Sequence, residues 1–223
     1  MSFSVVGSEV SLEGAKYLGT YEGERNENEE RHGHGKALLP NGDEYEGGYQ
    51  NGKRSGSGIY TFVSKRARYE GEYVKGLKDG KGTFSYPDGS VYEGSWVNGK
   101  REGLGEYRYA NGDTYIGNWK ADRRHGEGEY IYKDKGIKYK GNWNDGKFEH
   151  EGHLITSTYT YSGTFNGEQP VGAGRFHFDT GCEQDGEYVT KRMVLRTKAS
   201  REVVHLPVWR CLALYEAGLR HLR

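Results

Sequence analysis

Residues 69–91 read YEGEYVKGLKDGKGTFSYPDGSV and residues 92–114 read YEGSWVNGKREGLGEYRYANGDT, two copies of one 23-residue sentence set back to back. Each copy opens on Tyr-x-Gly-x-Tyr/Trp, passes a glycine turn, resumes with Gly-x-Gly-x-aromatic-x-aromatic, and closes on Asp-Gly or Asn-Gly. Side chains alternate along a strand, so Tyr92, Gly94 and Trp96 share one face while Glu93 and Ser95 take the other. The same alternation groups Gly105, Tyr107 and Tyr109. Gly and Asn accept the positive φ of tight reversals, which makes Val97-Asn98-Gly99-Lys100 and Asn111-Gly112 turns. One repeat is therefore one antiparallel β-hairpin with a turn into the next.

Glycine inside a strand costs roughly 0.5–1 kcal/mol relative to alanine. The penalty is offset if a neighbouring strand lays an aromatic ring across each bare glycine, because burying such a ring is worth roughly 1.5–3 kcal/mol. Tyr69 with Gly71, Tyr92 with Gly94 and Trp96, and Tyr115 with Gly117 and Trp119 are the expected structural layers. They predict an all-β, elongated stack of hairpins held by rings on glycines in place of an aliphatic core. Fourteen strands spaced at about 4.8 Å would run on the order of 65–70 Å.

Only 33% of the 223 residues are apolar and mean hydropathy is -0.96, values that suit disorder taken alone. The 36 Gly and 19 Tyr fall at periodic positions, however, and a repeat array buries its faces on its neighbours without a central core. Formal charge is zero, which gives no ground for a nucleic-acid partner. From Thr190 onward eight Lys/Arg face two Glu, about +6, and the remainder carries the balancing negative charge. Two cysteines and no apolar run near 18 residues suit a reducing, intracellular setting.

Residues 1–16 lack periodicity and read as a flexible leader. Repeat openings are expected at Tyr17, Tyr45, Tyr69, Tyr92, Tyr115, Tyr139 and Tyr161, giving an array over 17–189 of seven repeats and a half repeat from Gln184. In the sixth, His150 stands where the first glycine of Gly-x-Gly belongs, and an irregular twist is expected there. Over 190–223, a basic tail places Val208, Leu212, Tyr215, Leu219 and Leu222 at helical steps of four and three. This predicts an amphipathic helix from Pro207 whose apolar stripe covers the open sheet edge or docks on a partner, docking being preferred.

Gly94-x4-Gly99-Lys100-Arg101 nearly spells a phosphate loop, yet Arg fills the Ser/Thr position and the string recurs as the turn of other repeats. Glu30, His32 and His34, and again His150, Glu151 and His153, lack metal-ligand spacing on a helix. The alternating glutamates Glu46, Glu70, Glu72 and Glu93 form a charged stripe opposite the rings. No catalytic residue, cofactor or metal is expected.

The repeat resembles the MORN repeat over Tyr17 to Tyr188. Two longer strings narrow the resemblance. Tyr21-Glu22-Gly23-x-Arg25-Asn26 with Glu30-Arg31-His32-Gly33-x-Gly35, and Pro170-Val171-Gly172-x-Gly174 with Gly181-Cys182-Glu183-Gln184-x-Gly186-Glu187-Tyr188, are similar to the radial spoke head protein 1 family. That resemblance implies a non-enzymatic scaffold of the axoneme in motile cilia or sperm flagella, a cytoskeletal site within the cytoplasm, with other radial spoke head proteins as partners. The relatives in that family continue into a long acidic tail where this chain has a basic one. The alternative is a peripheral membrane adaptor in which the basic tail and Trp209 meet anionic lipid. Against lipid, the basic residues are spread over about 30 positions and the array is acidic.

Overall fold

The computed structural model describes residues 7–10, 17–196 and 201–216, and every regular element among them is a β-strand. Two compact lobes divide the chain. The first takes residues up to 110 with Trp119–Asp122, the second takes 111–118 with the residues from 123 onward. In the first lobe lie β1 (Gly7–Val10), β2 (Tyr17–Arg25), β3 (Arg31–Leu38), β4 (Glu44–Gln50), β5 (Lys53–Phe62), β6 (Ala67–Val74), β7 (Leu77–Ser85), β8 (Val91–Val97) and β9 (Lys100–Arg108). After β10 (Thr114–Lys120), the second lobe continues through β11 (Arg123–Tyr132), β12 (Ile137–Asn144), β13 (Lys147–Ile155), β14 (Tyr159–Asn166), β15 (Gln169–Phe178), β16 (Glu183–Arg196) and β17 (Arg201–Tyr215).

Within the first lobe, β2 to β9 pair antiparallel with their neighbours in sequence, and one register repeats. Tyr69 faces Tyr60 on one side and Phe84 on the other, while Gly71 faces Gly58 and Gly82. Glycine thus meets glycine at each of these strand pairings. The opening tyrosine ring lies over its own second-next glycine and over the glycine opposite. A Cβ at Gly94 would stand 2.5 Å from Tyr92 Oη and 2.5 Å from the Gly105 Cα. The ring therefore comes from the same strand as well as the neighbouring one, a closer fit than cross-strand cover alone.

Tyrosine, and not phenylalanine, opens the first six repeats because its hydroxyl has an acceptor at hand, whereas the buried Tyr161 Oη of the seventh has none among the described residues. Tyr69 Oη donates to the Glu72 carbonyl at 3.1 Å, and Tyr92 Oη to the Ser95 carbonyl at 2.9 Å. Tyr69, Tyr92, Tyr115 and Tyr139 are fully buried. The first repeat opens on Tyr21 and not on Tyr17, which brings its interval to Tyr45 into line with the others, since Tyr21 is the ring that covers Gly23 and Gly35 and donates to the Glu24 carbonyl at 2.8 Å.

Each second strand carries an irregularity beside its turn. Tyr73 faces Lys78 while Gly71 faces Gly82, so β7 holds two residues more than β6 over that stretch. Gly80 absorbs the kink at φ +105°. In the sixth repeat His150 does so, at φ +61°, and the register of Gly141 with Gly152 and Trp143 with Phe148 is the one its neighbours use. A left-handed L-residue costs roughly 1–2 kcal/mol, part of which glycine returns through its freer unfolded chain. His150→Gly is therefore expected to raise stability by about 0.5–1 kcal/mol. Chemical denaturation would check this; a lower midpoint would show that the imidazole makes a contact worth more than the strain.

The tail differs from its expected form. Residues 201–215, where a helix was expected from Pro207, form β17, paired along its length with β16. Three features explain this. Val203, Val204, Val208 and Trp209 favour a pleated surface. β16 runs on past Val189 to Arg196 and supplies a template. Pro207, opposite Thr190, sits on a strand that pairs with β16 alone among the described residues, where its missing N–H can face outward. An extra residue at Leu212 shifts the register between Asp185 and Gly186 and hides the alternation in the sequence. Leu219 and Leu222 lie outside the described residues.

Candidate binding surface

In each lobe the rings form a spine. In the first lobe Tyr21, Tyr49, Tyr45, Tyr73, Tyr69, Trp96, Tyr92 and Trp119 touch in that order, edge to face, with centroids 5.1–5.4 Å apart. Such a pair adds about 0.5–1.5 kcal/mol beyond burial. In the second lobe Tyr115, Trp143, Tyr139, Phe165 and Tyr161 continue the pattern at 5.0–5.8 Å. Trp96 Nε1 donates to the Gly82 carbonyl at 3.1 Å and Trp143 Nε1 to Gly128 at 3.2 Å, which ties each repeat to the one before.

In each lobe the spine carries cations that the repeat spacing alone did not single out. Arg31, Arg54, Lys78, Arg101 and Arg124 each lie across the strand from, or beside, the fifth residue of the repeat opening. Arg54 stands over Tyr60 at 5.0 Å and Tyr73 at 5.1 Å. Lys78 stands over Trp96 at 4.2 Å, Phe84 at 4.7 Å and Tyr69 at 5.3 Å. Arg101 approaches Trp119 to 4.4 Å, and Arg124 approaches Trp143 to 4.3 Å. The negative ring faces attract the charge, by about 0.5–2 kcal/mol each.

The arginines also staple neighbouring turns. Arg54 donates to the Gly76 carbonyl at 3.0 Å and Arg124 to the Gly146 carbonyl at 2.7 Å. Backbone bonds run the other way, from Gly76 N to Arg54 O and from Gly99 N to Lys78 O, both 2.8 Å. Where the turn glycine is replaced by Asp122, at φ +70°, its carboxylate accepts from the Arg101 backbone at 3.0 Å and from Nε at 3.2 Å. Lys78 has no carboxylate within bonding distance among the described residues. Burial pushes its ammonium down to about 8, against the opposing pull of Asp122. In the sixth repeat the slot is filled by Phe148, stacked on Tyr139 at 3.7 Å, and in the seventh by Pro170. The row of cations ends there.

The closing Asp-Gly and Asn-Gly turns are also built in. Asp43 and Asp113 are buried and accept from Tyr60 Oη and Tyr130 Oη, both at 2.9 Å, and Ser90 Oγ meets Tyr107 Oη at 2.8 Å. The histidine groups stay on strand surfaces: His153 Nδ1 meets Ser162 Oγ at 2.8 Å, and no metal-ligating cluster occurs among the described residues.

The residues first placed on a helical stripe do not form one apolar stripe: Val208 and Tyr215 pair with Val189 and Glu183 on one face of the ribbon, while Leu212 is the bulged residue between them. Val208 is half-buried, Leu212 is 65% exposed and Tyr215 borders on exposure. Trp209 is packed among Phe176 at 4.9 Å, Tyr188 at 5.2 Å and Tyr161 at 5.9 Å, over Gly186, and closes the second lobe's ring row. A ring so engaged is not available to enter a lipid surface.

The MORN repeat family matches residues 28–44, 45–65, 69–91, 92–114, 115–137 and 161–183, more than half of the chain. The unmatched 138–160 hold Phe148 and His150, the two departures described above. The chain is 54% identical over 220 residues to the radial spoke head 1 homolog of Mus musculus, covering 97% of this chain and 73% of that protein. It is 56% identical over 185 residues to the radial spoke head 1 homolog of Cyprinus carpio, covering 83% and 84%. Among solved structures, the SAS-4 TCP domain of Drosophila melanogaster aligns over 75% of this chain and 83% of that one, at 11% identity and a TM-score of 0.31, too slight a likeness to bear on fold or site.

Proposed function

This chain belongs to the family of radial spoke head 1 homologs, built from MORN repeats, and from that premise we propose that it is a structural, non-enzymatic subunit of the radial spoke head. It acts there as a protein–protein scaffold in the axoneme of motile cilia or sperm flagella, with other spoke-head proteins as its partners. The observation that carries this reading is the identity above 50% spread over nearly the whole chain. The geometry agrees with a scaffold, since each repeat's polar groups are used to hold the next repeat.

The ribbon of β16 and β17 is a surface we assign to a neighbouring subunit. Leu212 and Leu214 are more than 60% exposed there, Arg210 pairs with Glu187 beside them, and Lys191 and Arg192 lie farther along the ribbon, opposite Leu206 and His205. Val208 and Tyr215 belong to the same strand.

A tagged chain expressed in multiciliated cells tests the assignment. It is expected to stay on the axoneme after detergent removes the membrane, and to co-purify with spoke-head proteins by mass spectrometry. Recovery in the detergent-soluble membrane fraction without those proteins would overturn the reading in favour of a lipid adaptor.

A further inference from the structure

Arg31, Arg54 and Lys78 stand on β3, β5 and β7, one on every second strand, each over rings of the same spine. Adjacent strands lie about 4.8 Å apart, so cations one repeat apart are separated by about 9.6 Å. That pitch selects among ligand backbones lying across the strands. An extended strand repeats its same-face side chains at about 6.7 Å, and an α-helix gains about 5.4 Å per turn; neither keeps step. A polyproline II helix has three residues per turn and rises about 3.1 Å per residue, so every third side chain recurs at about 9.3 Å.

The surface beside the cation heads suits the rest of such a ligand. Phe62, Phe84 and Tyr86 are half-buried and follow one another with centroids 5.6 and 4.4 Å apart, the kind of aromatic lining on which prolines pack. Between Arg31 and Arg54 the row opens into a cleft of about 310 Å³, bordered by Leu39 and Lys53. The charge of Arg101, next along the row, is met by Asp122.

We propose that this face binds a proline-rich segment of a partner protein in polyproline II form with an acidic residue at every third position. Its carboxylates sit against Arg31, Arg54 and Lys78, and its prolines lie on the rings beside them. Such a ligand would bind whether or not the chain serves a spoke head, so this assay and the axonemal one fail independently.

The test uses a fluorescent peptide of six Glu-Pro-Pro triplets, titrated with the full chain at low salt and followed by anisotropy. A second peptide of the same composition carries its glutamates in adjacent pairs. The triplet peptide is expected to bind at least about tenfold more tightly, and Arg54→Gln or Lys78→Gln to weaken it about fivefold each. Arg54→Lys and Lys78→Arg keep the charge and should keep most of the affinity, which separates lost binding from lost folding. Equal affinity for both peptides, no binding of either, or indifference to the two Gln variants would overturn the proposal. So would capture by phosphatidylserine vesicles in place of the triplet peptide.

Discussion

Replacing Trp96 with alanine is expected to destabilise the first lobe by about 3–5 kcal/mol, one of the largest effects open to a single side chain here. Trp96 is 3% exposed and touches Tyr69, Tyr92 and Phe84 while bonding the Gly82 carbonyl. Its removal leaves a ring-sized void between two repeats, an acceptor without its donor, and Lys78 without its nearest ring face. The melting temperature should fall by on the order of 10 °C. Trp96→Phe keeps a ring but not the indole N–H, and should cost closer to about 1–2 kcal/mol. If alanine and phenylalanine cost the same, packing of the ring is not what holds the layer.

Gly94→Ala should be as damaging, although it adds a single methyl group. The new Cβ would meet the Gly105 Cα and Tyr92 Oη at 2.5 Å and the Leu104 carbonyl at 2.8 Å. Two of those three atoms are backbone, so relief requires the strands to part or the tyrosine to leave its slot. The expected cost is about 3 kcal/mol or more, the upper range for overpacking. Gly99→Ala is the control. Its φ of +83° is strained for alanine, but the added Cβ meets open space, so only about 1–2 kcal/mol is expected. Urea denaturation of the pair would decide between backbone preference and ring cover as the reason for the strand glycines, since the first requires Gly99→Ala to be the worse of the two.

Much of the fold was legible because the repeat states its physics openly. Period-two aromatics, glycines between them and Asn-Gly turns leave little choice but hairpins. The layers at Tyr69, Tyr92, Trp96, Tyr115 and Trp119 could be named from spacing alone. What spacing could not reveal was how polar groups are used. Arg54, Lys78 and Arg101 follow Gly-Lys or Gly-containing turns, and a basic residue beside a turn ordinarily faces water. Only the strand register, which sets Trp96 opposite Arg101 and Tyr73 opposite Lys78, brings them onto rings. The recurrence of a cation nine residues after each opening tyrosine, from Tyr45 to Tyr115, was the signal available.

The tail misled for a different reason. Val208, Leu212 and Tyr215 satisfy a helical period, but the same stretch carries Val203, Val204 and Val208 and can pair with 183–196. Local periodicity could not register a partner strand, and the bulge at Leu212 broke the alternation that would have competed with the helical reading.

That neighbouring repeats share rings, and so hold one another, is tested most directly by native-state amide hydrogen exchange on the wild-type chain and Trp96→Ala. The account predicts lost protection beyond β8 itself, reaching Gly82 and its neighbours in β7 and Gly105 in β9, because loss of a shared ring weakens both flanking interfaces. Exchange that quickens only within Val91–Val97, with β7 and β9 as protected as before, would contradict it.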